Sequence, residues 1–92
     1  MQTMSDASLK PATQVLARRL PGGAVLVHLG TNRIFELNET GAKVWELLSE
    51  GLNRGQILQR LVEEFAVEPA LAATDLRTVL EQLEREGLLT TP

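Results

Sequence analysis

The chain has 92 residues, 43% of them hydrophobic and 23% charged, and nine Lys and Arg against twelve Asp and Glu give a net charge of −3. This composition is typical of one soluble globular domain, and the length leaves too little chain for a second core or a deep substrate cavity. The acidic balance is unfavourable for holding polyphosphate, so nucleic acid is not an expected partner.

The sequence contains no cysteine, which excludes disulfides, thiolate chemistry and zinc sites that need sulfur, and which fits a reducing compartment. The first residues lack the basic and apolar regions of a signal peptide, and no apolar run reaches the ~20 residues of a membrane-spanning helix. We therefore expect a cytoplasmic protein with no membrane partner.

The first part of the chain has the pattern of β-strands. Residues 1–12 are polar and aperiodic, and we interpret them as a flexible arm before a domain that covers residues 13–90. Turn residues at Pro21–Gly23 and Gly30–Asn32 then divide a segment rich in Val, Leu and Ile. This pattern predicts an antiparallel meander of three strands, Gln14–Leu20, Ala24–Leu29 and Arg33–Leu37.

After the third strand the hydrophobic period changes from two residues to about 3.6, as in amphipathic helices. Asn38 and Asn53 are suited to cap the first two helices, and Pro69 suits the first turn of a third. The first helix is predicted over Glu39 to about Glu50 and the third over Pro69–Glu86. Strands followed by helices predict an α+β domain with the order β-β-β-α-α-α, in which three helices cover one face of a winged-helix-like sheet.

The sequence contains few residues suited to catalysis. His28 is the single histidine and has no Cys beside it, so we interpret it as a partly exposed strand residue rather than a metal ligand. No Gly-x-Ser-x-Gly motif or phosphate-binding glycine loop is present, and paired carboxylates such as Glu63 and Glu64 are interpreted as solvated helix faces. We predict a protein that is not an enzyme and has no cofactor or metal.

Two features remain once the core is assigned. The strand Arg33–Leu37 has a free edge without the Pro, Gly or Lys that commonly protect such edges. The third helix carries a mixed apolar and acidic flank beside its core stripe. If strand and helix are adjacent, they form a groove in which an extended peptide can add as a further strand, and Leu26 and Ile34 are expected to form a small exposed apolar pair on that surface. The flank consists of Asp75, Val79, Gln82 and Glu86.

A further pattern identifies a family. The segment from Leu37 to Ala42 followed by Trp45, with Asp75 on the third helix and a terminal Gly87-Leu88-Leu89, resembles the PqqD-like domains known as RiPP recognition elements. RiPPs are ribosomally synthesised and post-translationally modified peptides. The resemblance covers about Gln14–Leu89. It implies a non-catalytic winged-helix-like domain that binds the leader segment of a precursor peptide, which pairs with the third strand against the third helix.

The resemblance also assigns site residues. Ile34 and Val79 are expected to contact apolar leader side chains, while Arg33, Glu36 and Asp75 are expected to set the register of the leader. Leu37, Asn38, Gly41 and Trp45 match the family signature too, but we interpret them as structural. The full set of expected peptide-binding residues is Arg33, Ile34, Phe35, Glu36, Leu37, Asp75, Val79 and Gln82.

The family implies that the domain delivers its precursor to a processing enzyme. The chain carries no fused enzyme and is similar in size to the stand-alone partner protein of lasso-peptide clusters, so a separate leader peptidase or other modifying enzyme is the expected partner. Ile34–Glu36 and Gly87-Leu88 depart from the quinone-cofactor branch of the family. A PqqD-type chaperone for a radical-SAM enzyme is therefore the second hypothesis.

Two hypotheses of other classes remain open. A winged-helix outline is compatible with a DNA-binding regulator, although the third helix carries more acidic than basic residues and its field repels phosphate. Alternatively, two copies of the chain form a homodimer by pairing through the free strand edge. The charges of that helix are Arg77 and Arg85 against Asp75, Glu81, Glu84 and Glu86.

Overall fold

The computed structural model describes residues 9–90. Three antiparallel strands are followed by three helices, which confirms the predicted α+β fold, with small shifts at the ends of the elements. A two-residue strand at either end of the described chain was not predicted. The elements are β1 (Lys10–Pro11), β2 (Val15–Leu20), β3 (Gly23–His28), β4 (Arg33–Asn38), α1 (Glu39–Ser49), α2 (Arg54–Phe65), α3 (Pro69–Arg85) and β5 (Leu89–Thr90).

The two short strands join the ends of the fold. Lys10 pairs with Thr90 and Pro11 with Leu89, and the amide of Ala12 donates a 2.9 Å hydrogen bond to the carbonyl of Leu88. The last residues of the segment that was predicted as an arm are therefore paired with the end of the chain. Residues 1–8 of that segment lie outside the described residues.

The register of the main sheet, in the order β2-β3-β4, fixes which side chains share a face. Leu26 pairs with Phe35 on the inner face and is 0% exposed, whereas Ile34 pairs with Val27 on the outer face and is 68% exposed. The predicted exposed pair of Leu26 and Ile34 is therefore wrong. The reason is that β3 is apolar at every position from Ala24 to Val27, so its own sequence does not reveal which residues face the core.

Local sequence explains why each helix begins where it does. Asn38 Oδ1 accepts a 2.8 Å hydrogen bond from the amide of Gly41, and Asn53 forms a reciprocal capping box with Gln56. Pro69 occupies the first turn of α3. Helix α1 lies against β3 and β4, and α2 packs against α1 and α3. The core stripe of α3 is Ala72, Leu76, Leu80 and Leu83.

We expect Gly23→Ala to lower the free energy of unfolding by about 1–3 kcal/mol, the usual range for overpacking. A Cβ on Gly23 would collide with the backbone carbonyl oxygen of Leu37, which belongs to β4 and has little freedom to retreat. Urea denaturation followed by circular dichroism measures the change. An unchanged unfolding midpoint would show that β3 and β4 are less closely apposed at this point.

Candidate functional site

Strand β4 is an edge strand. Within the part of the chain that the structure describes, its only strand partner is β3, so the other side of its backbone is not part of any sheet. Such an edge exposes N–H and C=O groups that can pair with another extended segment. The candidate functional site is this edge together with the part of α3 that lies near it.

Two observations give the direction of α3 relative to β4. Arg33, at the start of β4, forms a 3.0 Å ion pair with Glu86, which follows the last residue of α3. Asn38, at the other end of β4, lines a cleft together with Asp75. The flank of α3 therefore runs antiparallel to β4. Eleven helical steps and five strand steps each span roughly 17 Å, so the flank and the strand edge match in length.

An open cleft of about 280 Å³ occupies one end of this arrangement. Val79 is half-buried and packs against the core, while Asp75 and Gln82 are exposed at the sides. The structure thus brings the three predicted helix residues together. The cleft is lined by Asn38, Thr40, Asp75, Thr78, Val79 and Gln82.

Three of these lining residues were not predicted as part of the site. Thr78 follows Asp75 by three residues and precedes Gln82 by four, so helical spacing alone places it on the same flank. The position of Asn38 and Thr40 at the cleft was harder to predict from the sequence. Their patterns fit a helix cap and a first helical turn, and only the packing of α1 beside α3 shows that they also border the cleft.

The predicted strand residues divide between the two faces of the sheet. Phe35 and Leu37 are half-buried on the inner face and pack against the core, as Val79 of α3 also does. Ile34 and Glu36 are exposed on the outer face, away from α3. The structure therefore joins Phe35 and Leu37 to the helix side of the site, while Ile34 and Glu36 flank only the strand edge.

Arg33 organises the other end of the site. Its guanidinium group lies 5.1 Å from the centre of the Phe35 ring and also pairs with Glu86. Both groups of the ion pair are solvent-accessible, so the pair adds little to stability. The pair shows that the start of β4 lies beside the end of α3, and the guanidinium group stacks on the Phe35 ring.

The charge at this surface is mainly negative. Asp75 is exposed, and it has no ion-pair partner among residues 9–90. Glu36 on the strand likewise has none within this range, whereas Arg33 is already paired with Glu86. A ligand that carries a basic side chain near the Asp75 end would therefore meet an uncompensated carboxylate.

His28, which was considered as a metal ligand, belongs to the turn between β3 and β4. His28 ends β3, and its Nδ1 accepts a 3.1 Å hydrogen bond from the amide of Gly30, so the ring participates in the turn before β4. Within residues 9–90 no group of His, Asp and Glu side chains is arranged to hold a metal ion. None of the three helices is both long and apolar enough to cross a membrane.

Comparison with known proteins agrees with this architecture. The family model described as coenzyme PQQ synthesis protein D (PqqD) matches residues 23–89, which extend from β3 to the start of β5. None of the curated proteins matches the chain.

Two solved structures are similar to the chain. One is TbiB1 in complex with the TbiA(beta) leader peptide, with a TM-score of 0.81 and 31% identity over 87% of this chain and 93% of that one. The other is lasso peptide synthetase B1 complexed with the leader peptide, with a TM-score of 0.81 and 23% identity over 91% of this chain and 99% of that one. The second likeness supports the fold alone. The family model and TbiB1 together identify the chain as a member of the PqqD family, and more closely as a RiPP recognition element.

Proposed function

We propose that this chain binds the leader segment of a ribosomally synthesised precursor peptide, which adds as a strand to the free edge of β4 against the flank of α3. The observation that supports this most directly is the juxtaposition of an unpaired strand edge with a helix flank of equal length. The proposal is consistent with the similarity of this chain to TbiB1, whose structure was solved in complex with the TbiA(beta) leader peptide.

Strand addition supplies backbone pairing and side-chain contacts on two faces. Alternate leader side chains would point inward, toward Phe35, Leu37 and Val79. The intervening side chains would lie on the outer face beside Ile34 and Glu36. Ile34 and Val79 therefore contact different leader residues, one on each face of the added strand.

Backbone pairing alone is too weak for specific binding. Four or five hydrogen bonds contribute a net ~0.5–1.5 kcal/mol each, and ordering a flexible peptide opposes this gain. Burying one or two large apolar leader side chains adds roughly 1.5–3 kcal/mol apiece. The leader is therefore expected to place apolar residues at alternate positions, with a Lys or Arg opposite Asp75.

The proposed role is presentation of the precursor without chemistry on it. A leader bound along β4 and α3 leaves the rest of the precursor free for a separate enzyme. We assign the chain to lasso-peptide biosynthesis, with a leader peptidase as the receiving enzyme, because Ile34–Glu36 and Gly87-Leu88 depart from the quinone-cofactor branch of the family. A radical-SAM enzyme as the partner would instead place the chain in the quinone-cofactor branch of the family.

Isothermal titration calorimetry with the leader of the precursor encoded beside this gene tests the proposal. We expect saturable one-to-one binding whose affinity changes little between low and high salt, because pairing and apolar burial dominate it. The TbiA(beta) leader provides a related comparison peptide.

Two results would contradict the proposal. One is the absence of heat and of any spectral change with the cognate leader. The other is tight binding to duplex DNA that weakens steeply as salt rises, which is the behaviour of a winged-helix regulator. The nature of the neighbouring genes distinguishes the lasso branch from the radical-SAM branch.

A further inference from the structure

The outer face of the main sheet carries an apolar surface that no described element covers. Cross-strand pairing places Leu16, Val27 and Ile34 in one row on this face, and Leu16 and Ile34 are 59% and 68% exposed. The next row across the same strands is Arg18, Val25 and Glu36. We call these six residues the outer-face patch.

The patch has a projection on one side and a depression on the other. Ile34 projects from β4, and an open depression of about 370 Å³ lies on the β2 side, between β2 and β3. The depression is lined by Leu16, Ala17, Arg18, Val25 and Val27. Projection and depression thus lie on opposite sides of the central strand.

The charges of the patch have the same arrangement. Arg18 lies on β2 and Glu36 on β4, with Val25 between them, so the two Cα atoms are about 10 Å apart, two strand spacings. Neither side chain has an ion-pair partner within residues 9–90. Each side of the patch therefore carries one unpaired charge of opposite sign.

A two-fold axis along β3 brings these complementary features together. Rotation by 180° about an axis parallel to the central strand, lying in the plane between two facing sheets, exchanges the β2 side of one copy with the β4 side of the other. Ile34 of each copy then faces Leu16 of its partner, at the border of the depression, and Arg18 of each faces Glu36 of its partner. An interface that repeats each contact twice is the ordinary form of a symmetric dimer.

We propose that the outer-face patch is a self-association surface through which two copies of this chain pack sheet on sheet. Facing sheets lie about 10 Å apart with strands about 30° from parallel, a rotation that the long Arg and Glu side chains accommodate. The face of three six-residue strands is smaller than the surface that a standard stable interface buries, so the dimer is weak and depends on concentration. The inference rests on the sheet alone and does not require the proposed leader binding.

Sedimentation equilibrium of the full chain and its variants, from micromolar to near-millimolar concentration, tests the proposal. The unaltered chain is expected to approach twice its monomer mass as concentration rises. Arg18→Glu and Glu36→Arg are each expected to raise the dimer dissociation constant about tenfold or more, because each places like charges opposite one another. The double variant Arg18→Glu/Glu36→Arg restores opposite charges and is expected to recover most of the association.

The outcomes separate the possibilities. A monomer at every concentration overturns the proposal, as does a dimer that Arg18→Glu leaves intact, which would instead indicate pairing through the β4 edge. Failure of the double variant to recover association, in a chain that circular dichroism shows to be folded, also overturns it. Arg18 lies two strands away from the groove, so calorimetry on Arg18→Glu reports leader binding independently of association.

Discussion

Val79→Glu is expected to lower the affinity for the leader peptide about 100-fold, or about 2.7 kcal/mol, while the chain stays folded. Val79 is half-buried at the base of the cleft beside α3. In the proposed complex, a carboxylate at this position faces the side of the added strand that carries the apolar leader residues. It also lies one helical turn from Asp75, so two negative charges would share the cleft.

Ala73→Glu is the matched control for this variant. It adds the same charge to the same helix at an exposed position that does not line the cleft, four residues before Arg77. Calorimetry is expected to give the unaltered leader affinity for Ala73→Glu. An unaltered affinity for both variants would remove α3 from the binding site, and an equal loss of affinity in both would indicate a general electrostatic effect.

Leu26→Ala is expected to have the largest effect on stability, a loss of about 3 kcal/mol in the free energy of unfolding. Leu26 lies on the central strand, is fully buried on its inner face and belongs to the core cluster with Val44 and Trp45. Val27→Ala, one residue further along the same strand, removes a half-buried side chain from the outer face and is expected to lower the same free energy by about 1 kcal/mol.

Chemical denaturation of the two variants compares the faces of β3 directly. The difference between them should be close to 2 kcal/mol if Leu26 faces the core. A larger loss for Val27→Ala than for Leu26→Ala would mean that the strand is rotated, with the groove and the outer-face patch exchanged.

Features with a local physical signal could be predicted from the sequence. The turn at Pro21–Gly23 is specified by proline and by Gly22, whose φ is +82°. The starts of α1 and α2 are specified by Asn38 and Asn53, whose side chains accept hydrogen bonds from backbone amides. The turn and the two helix caps depend on residues a few positions apart, so they could be predicted without knowledge of the tertiary structure.

Features that depend on distant partners could not be predicted. The face to which Leu26 points is decided by its pairing with Phe35, because the neighbouring residues of β3 are also apolar. The strand Lys10–Pro11 exists only because the end of the chain returns to it. In both cases the determining contact joins segments that the local pattern does not connect.

The groove was predictable in outline and not in detail. A free edge on β4 and a mixed flank on α3 are visible in the sequence, and the structure brings them side by side. Which strand residues face the helix depends on sheet register, so Phe35 and Leu37 belong to the groove side and Ile34 does not. Asn38 borders the cleft only because α1 begins beside α3.

The most direct test of strand addition is amide hydrogen exchange by NMR on the ¹⁵N-labelled chain, with and without its cognate leader peptide. Strand addition predicts new protection at those amides of residues 33–38 that point away from β3, large shift changes along the same segment, smaller shift changes along residues 75–86, and little change at the opposite edge, residues 15–20. Protection that appears at residues 15–20, with 33–38 unaffected, would contradict it.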